Sequence, residues 1–547
     1  MMLMGQALPE HISNQGLYEF LDELANDGII ELASAAKPYP RNLIAKKLVE
    51  AKGKAERLTA RQGQQLRMYL NDFGLELHED VTTHLRLFRR DTSFLFSILP
   101  PTLISRDSFF RFNLRPILGA HYYTNHNGSI LHSWGGAAVN SYVGSNWAVW
   151  ASLRDNRMDG GRLSGPTMLT QELGGIYKSL TGGGVGGEFS EMRGGIAWSW
   201  RWGYLSLEKD HLAWGDGYNG TNILSGRTPS FAMLKLNMHP AKWLEFNYFH
   251  GWLMSMVVDS VRTYTPNPGD PERTIFRDKY IAANLFTLKP WPRLHISFGN
   301  SVIYSDMGVY PAYLIPFMFY KSIVHTQTAG VRGHNHNSAM FFNISSRQIR
   351  HLHLYATLFV DEFSVSRIGD PTRTNFTSTK AGMRLSNWPI RNVSLTAEYT
   401  FTYPKTFQHR TLSTTFESNR YQLGHYLRDN ARELFLNLGI KPLAGLTFDV
   451  SYLMAQKGNV VPYIYNSPTP VDEDPFMQEV VWSNETLSLR ARYTLYSNVS
   501  TFAEVRYMNI QGHSADGREP QHYLNLFTPS LFQGKTNTTV IGLQVGF

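Results

Sequence analysis

Between Thr486 and Leu495 the chain never breaks step: Leu487, Leu489, Ala491, Tyr493 and Leu495 alternate with Thr486, Ser488, Arg490, Arg492 and Thr494. An extended chain imposes this period of two, sending alternate side chains to opposite faces of a sheet. A wholly apolar face opposite one that carries two arginines suits a strand with lipid outside and water inside. The alternation recurs at Phe110, Phe112 and Leu114, at Trp147, Val149, Ala151 and Leu153, and at Leu244, Phe246, Tyr248 and His250. It returns at Leu352, Leu354, Ala356 and Leu358, and at Val393, Leu395, Ala397, Tyr399 and Phe401. A soluble sandwich tolerates one such strand. The series reads as an all-β transmembrane protein, a large antiparallel β-barrel.

Composition enters here because it removes the other membrane solution. Aromatic residues make up 13% of the 547 residues, yet mean hydropathy is −0.27. Aromatic girdles around a polar lumen reconcile the two values. No apolar run approaches the roughly 18 to 20 residues that a spanning helix needs; Phe94 to Leu99 and Tyr313 to Tyr320 are short and abut or contain proline. About 440 residues at roughly 24 per strand and half-turn give about 16 to 18 strands, an even count being the rule in bacterial barrels. The last stretch places Thr539, Ile541, Leu543, Val545 and Phe547 opposite Val540, Gly542, Gln544 and Gly546. An amphipathic terminal strand closing on Phe547 is similar to the signal that outer-membrane assembly machinery reads. Met1 to Gln6 is too short for a signal-peptide core, so the chain reads as nearly mature.

Only Asn14 to about Asp72 carries a helical period. Asn14 can cap a helix with Leu17, Phe20, Leu21 and Leu24 on one face and Gly28 as its stop. Pro40 suits the first position of a second helix, and Thr59 can cap a third bearing Leu66, Tyr69, Leu70 and Phe73. Short amphipathic helices cannot bury their stripes singly. Leu17, Leu21, Leu24, Leu66, Tyr69 and Leu70 therefore either dock a periplasmic partner or close the segment on itself against the barrel rim. The expected division is a helical periplasmic segment over 1–85 and a barrel over 86–547. Short connections such as 288–293, 386–391 and 441–445 place proline at turns, whereas 155–187, 263–278, 305–337, 368–375, 405–428, 458–484 and 511–535 are long. Long loops face outside in outer-membrane barrels, which puts function there or in a plug made by an infolded loop.

Catalytic chemistry is mostly missing. The chain has no cysteine, which removes disulfides, thiolate metal sites and Cys nucleophiles. The net charge of +8 is dispersed rather than striped, which argues against nucleic acid and leaves a polyanionic partner such as lipopolysaccharide or an acidic polysaccharide. Gly182, Gly184 and Gly187 have dinucleotide-loop spacing but lack the strand and helix that such a loop needs. His334 and His336 share one face of an extended segment without a local carboxylate, and read as a polar loop lip rather than a metal site. Adjacent Asp361 and Glu362 face opposite sides of a strand and cannot make a glycosidase pair. Lys209, Asp210 and His211 mark a strand end. Neither a catalytic residue, a metal site nor a cofactor is expected. Trp214, Asp216, Tyr218, Asn219 and Asn222 mix flat rings with hydrogen-bonding groups in one loop, as a sugar site does, though a structural insert uses the same residues.

That loop also carries a likeness. Trp198, Trp200 and Trp202 alternate with Ser199, Arg201 and Gly203, and Leu205 and Leu207 run on into Glu208, Lys209 and Asp210. Trp214-Gly215-Asp216-Gly217 and Gly220 follow, then Ile223-Leu224-Ser225 and Pro229 before the next strand. With Tyr310 to Phe319, Asn335, Asn337 and Leu358 to Phe363, the order resembles the Wzi family of capsule-assembly outer-membrane proteins. The resemblance implies 18 strands, a periplasmic helical segment, and a non-enzymatic surface lectin that helps attach capsular polysaccharide. Two other roles suit such a barrel: a component of a secretion or envelope-assembly complex whose helices dock periplasmic or lipoprotein subunits, and a diffusion channel.

Overall fold

The computed structural model describes residues 6–77, 85–86, 94–97, 101–107, 109–327, 335–368, 370, 373–461, 463 and 474–546. Phe547 and His334 lie outside them. Alternation becomes a closed barrel of 18 antiparallel strands, in which Phe110–Asn125 pairs with Gly534–Val545, Leu118 opposite Val545 and Thr124 opposite Thr539. Closure removes the sheet edges that lipid could not satisfy.

The two faces separate as the period of two requires. On Val393–Thr402, Leu395 and Tyr399 are more than 40% exposed while Thr396 and Thr400 are buried. On Gly534–Val545, Ile541 and Leu543 are exposed and Val540 is buried. An exposed apolar face repeated around a closed wall is a face toward lipid. Trp147, Trp198, Trp202, Trp243, Trp291 and Trp388 are all exposed and all lie at one end of the barrel, as an interfacial girdle does. Sequence alternation misplaced one of them. Trp202 does not continue the strand of Trp198 and Trp200: Gly186–Trp200 ends, Arg201 and Trp202 form a turn, and Gly203–Asp210 runs back with Gly203 opposite Trp200. A two-residue hairpin keeps the polar–apolar rhythm, so the pattern alone does not reveal it.

Connections at the tryptophan end run two to six residues; at the other end one has two residues and eight have 13 to 30. Four helices close the short-turn end: α1 Gln15–Asn26, α2 Arg41–Lys52, α3 Ala60–Asp72 and α4 Gly74–Leu77. Asn14 accepts from the Leu17 amide, and Thr59 forms a reciprocal cap with Gln62, as their positions predict. Pro40 stands one position earlier than expected, as the N-cap residue of α2 with extended ψ. Leu17, Leu21, Leu24, Leu66, Tyr69 and Leu70 all lie in the shared interior of this helical unit, packed with Phe20, Ile44 and Leu48.

Polar groups moor the unit to the short turns. The His351 amide donates to the Asn26 carbonyl at 2.7 Å, and Arg61 Nε donates to Asn392 at 2.8 Å. Ser497 Oγ donates to Asp72 at 3.1 Å and Lys441 Nζ meets Glu23 at 2.9 Å. Arg347, only 2% exposed, is the deepest tie: its guanidinium reaches Asp22, Asn26 at 2.8 Å, Ser34 at 3.1 Å and Ser345 at 3.2 Å.

Candidate functional site

From the long-loop end, residues 211–230 fold back into the barrel. Trp214 wedges its ring edge-on against Phe249 and Phe341. The Asp216 amide donates to Asn343 Oδ1 at 3.0 Å, and Asn343 Nδ2 returns a bond to the Asp216 carboxylate at 2.8 Å. Tyr218 and Asn219 amides both donate to the Glu398 carboxylate, at 2.6 and 2.9 Å, and Asn219 Nδ2 donates to Glu433 at 3.0 Å. Asn222 Nδ2 donates to the Ser378 carbonyl at 2.9 Å. The Tyr218 hydroxyl donates to Asp22 of α1, so the infolded loop and the helical unit meet inside the wall. Burial raises the Tyr218 pKa and the Asp22 charge raises it further, which keeps this hydroxyl a donor.

Two more loops brace the first. The Gly174 amide donates to the Arg227 carbonyl at 2.7 Å, Ser225 to Leu423 at 2.7 Å, and the Tyr421 hydroxyl to Gly175 at 3.0 Å. The structure thus brings together the five loop residues singled out for sugar contact. It places them in the body of the barrel, with Trp214, Asp216 and Asn222 buried and with Asp216, Tyr218, Asn219 and Asn222 all hydrogen-bonded to the wall.

This packing leaves a cavity of about 550 Å³ between the loop, residues 11–16 at the start of α1 and just before it, and the wall strands at both ends of the barrel sequence. Its size falls in the range of about 300 to 1,000 Å³ typical of small-molecule sites. Six arginines and one lysine line it against three glutamates. Three of the arginines are ion-paired: Arg492 to Glu19 at 2.6 Å, Arg506 to Glu504 at 2.9 Å, and Arg193 to Asp210 at 3.2 Å. Arg227 donates to the Glu172 carbonyl at 3.2 Å.

Arg154 and Arg490 differ. Arg154 lies over the Trp134 ring at 4.1 Å and Arg490 over Phe502 at 4.3 Å. His121 stands edge-on between those rings, 4.7 Å from Trp134 and 4.8 Å from Phe502. Glycines make the seats: a Cβ on Gly119 would lie 2.2 Å from the Trp134 ring, and one on Gly542 would lie 2.2 Å from Phe502 and 2.5 Å from His121. Each glycine is the cross-strand partner of the ring that covers it. Sequence reasoning put Arg490 and Arg492 on the lumen face and missed the rest of the group, whose members lie on five strands.

Other candidate chemistry resolves into structure. His336 is buried, its Nδ1 2.9 Å from the Tyr313 hydroxyl. Asp361 accepts from the Phe407 amide at 2.8 Å, while Glu362 pairs with Arg367 at 2.9 Å. His11, Asp210 and His211 come within metal-ligand reach of one another, with His11 Nε2 3.1 Å from His211 Nδ1. Arg193 already occupies that carboxylate, so a cation here would face a guanidinium. Burial, then Arg193, hold His11 neutral.

No family model matches the chain, and no curated protein matches it. Among solved structures it is similar to Wzi from Escherichia coli, described as a carbohydrate-binding β-barrel involved in group 1 capsule assembly. That match has a TM-score of 0.56 at 11% identity and covers 99% of this chain and 100% of the other. OccD3 of Pseudomonas aeruginosa matches at TM-score 0.41 and 10% identity over 80% of this chain and 90% of its own. OccAB2 of Acinetobacter baumannii matches at TM-score 0.43 and 8% identity over 80% of this chain and 99% of its own. The likeness to Wzi read from the sequence therefore extends to the whole fold, helical unit included.

Proposed function

We propose that this protein is a non-enzymatic outer-membrane barrel that binds surface polysaccharide and helps hold capsule at the cell, its helical unit periplasmic and its long loops outside. The observation that carries the reading is the filled lumen. Helices enter from one end and three loops from the other, and what remains is a cavity with arginines, aromatic rings and amide groups, the inventory of a sugar site. End-to-end likeness to a carbohydrate-binding capsule barrel supports the same reading, by analogy of fold to function. Lipid and lipopolysaccharide are the surroundings such a wall implies. The mixture first read in Trp214 to Asn222 serves this function by holding the plug in place.

Isolation of the intact barrel from native membranes in mild detergent tests the proposal. Acidic polysaccharide retained without a stoichiometric protein partner is the expected result. Fixed-ratio protein subunits without glycan would replace it with an envelope-complex role, and steady current in a planar bilayer would replace it with a channel.

A further inference from the structure

We infer that the luminal cavity is a site for an oxyanion carried on a sugar, carboxylate or phosphate, taken by the guanidinium groups of Arg154 and Arg490 with the ring lying along the Trp134, His121 and Phe502 row. The inference rests on the polysaccharide reading for its sugar, and on the cavity's own chemistry for its charge. Among the arginines of the cavity, these two make no hydrogen bond and no ion pair to the described residues. The Nε of each is shut away from solvent without a partner, as is His121 Nε2. Carboxylates stand opposite both on neighbouring strands, Glu191 across from Arg154 and Glu504 and Asp449 across from Arg490, yet none comes within ion-pair distance. A part-buried cation held without a hydrogen-bonded counter-charge is costly, and a ligand that supplies one offsets that cost.

The local surroundings favour an anion over a cation. Counting Glu19, Asp210 and Asp449, which stands opposite Arg490, with the three lining glutamates, the cavity still holds more positive groups than negative. Each guanidinium rests over its ring and keeps N–H groups as donors, which can read a carboxylate or phosphate two bonds at a time. The rings beneath lie against Gly119 and Gly542, in space that a Cβ there would fill. Two guanidinium donors beside the edges of an aromatic row fit a sugar that bears a charged substituent, and suit a neutral sugar poorly because the arginines would stay unpaired.

Titration of the full-length, detergent-solubilised barrel with glucuronate, glucose 6-phosphate, glucose and inorganic phosphate tests this. Glucuronate or glucose 6-phosphate should bind, the tighter of the two identifying the anion, and affinity should fall as salt rises. Glucose should show no binding, and inorganic phosphate should bind at least tenfold more weakly than the charged sugar. Arg154→Gln and Arg490→Gln should each weaken binding tenfold or more, with heat-modifiable migration on gels reporting that the barrel has closed. Trp134→Leu should narrow the gap between charged sugar and inorganic phosphate while phosphate binding persists, a result that mere loss of fold would not give. Unchanged affinity in the folded double variant, or equal affinity for glucuronate and glucose, would overturn the inference. Native polysaccharide retained by a barrel that binds no charged monosaccharide would also overturn it and leave the surface-polysaccharide reading standing.

Discussion

Arg347 shows how much of this molecule is decided by single polar side chains in a dry place. Its guanidinium joins Asp22, Asn26 and Ser34 of the N-terminal unit to Ser345 of the wall, groups more than 300 residues apart in sequence. Replacing it with leucine takes away the charge partner of Asp22 and leaves the carboxylate the Tyr218 hydroxyl, and breaking a buried pair in this way costs about 3 to 5 kcal/mol. The expected outcome for Arg347→Leu is a closed barrel whose helical unit is cut by protease far faster than in the parent; equal protection of the unit would refute this role. The same scale explains what the sequence withheld at the site. Arg490 and Arg492 are legible as lumen-facing because alternation is local. That Arg492 pairs with Glu19, 473 residues away, while Arg490 stacks on Phe502 is a matter of closure, which no local pattern encodes. Trp214 to Asn222 misdirected attention for a related reason, since rings and amides look alike whether they await a sugar or a barrel wall.

Among elements, α1 was read almost residue by residue, because its cap, apolar stripe and stop are all short-range signals. Its docking was not legible, because that depends on acids meeting bases across the lumen. Burial alone would raise the pKa values of Asp22 and Glu23. Arg347 and His353 beside Asp22, and Lys441 and Arg61 beside Glu23, outweigh burial and hold both well below the usual carboxylate range. Asp72 and Glu76 are lowered in the same way, Asp72 by Arg115 and Arg41, Glu76 by Arg41. A depressed folded-state pKa gives stability that is complete above the unfolded value near 4 and is lost as pH falls toward the folded value. Asp27, raised by burial and then by Glu23, runs the other way and offsets part of the loss. Glu19 and Glu50 are lowered too, and six lowered carboxyls against one raised one predict that the helical unit loosens from about pH 4 downward while the wall stays paired. Hydrogen exchange corrected for intrinsic rates should show α1 amides losing protection between pH 5 and pH 3, with strand amides unchanged; uniform protection across that range would contradict the electrostatic mooring.

For the whole molecule, the barrel was the most legible part and its interior the least. Strand period and loop asymmetry follow from alternation, length bounds the count at about 16 to 18 and the resemblance to Wzi selects the 18 observed, whereas which loops turn inward follows from partners that alternation does not name. The consequence is a bore blocked twice in series. Helix α1 approaches from the short-turn end, the 211–230 loop from the other, and Asp22 and Tyr218 bond where they meet. Two plugs in series do not add: removing one leaves the other across the path. Replacing 216–222 with glycine and serine should leave planar bilayers silent, because α1 remains tied to Arg347, Lys441 and Arg492. Deleting the helical unit alone should also leave them silent, because the remaining loop keeps its bonds to Asn343, Glu398 and Ser378. Conductance should appear only when both are removed from a barrel that still closes. Steady current from either single variant would mean that the two plugs do not share one path, and current from the parent protein would return the filled lumen to the status of an open pore.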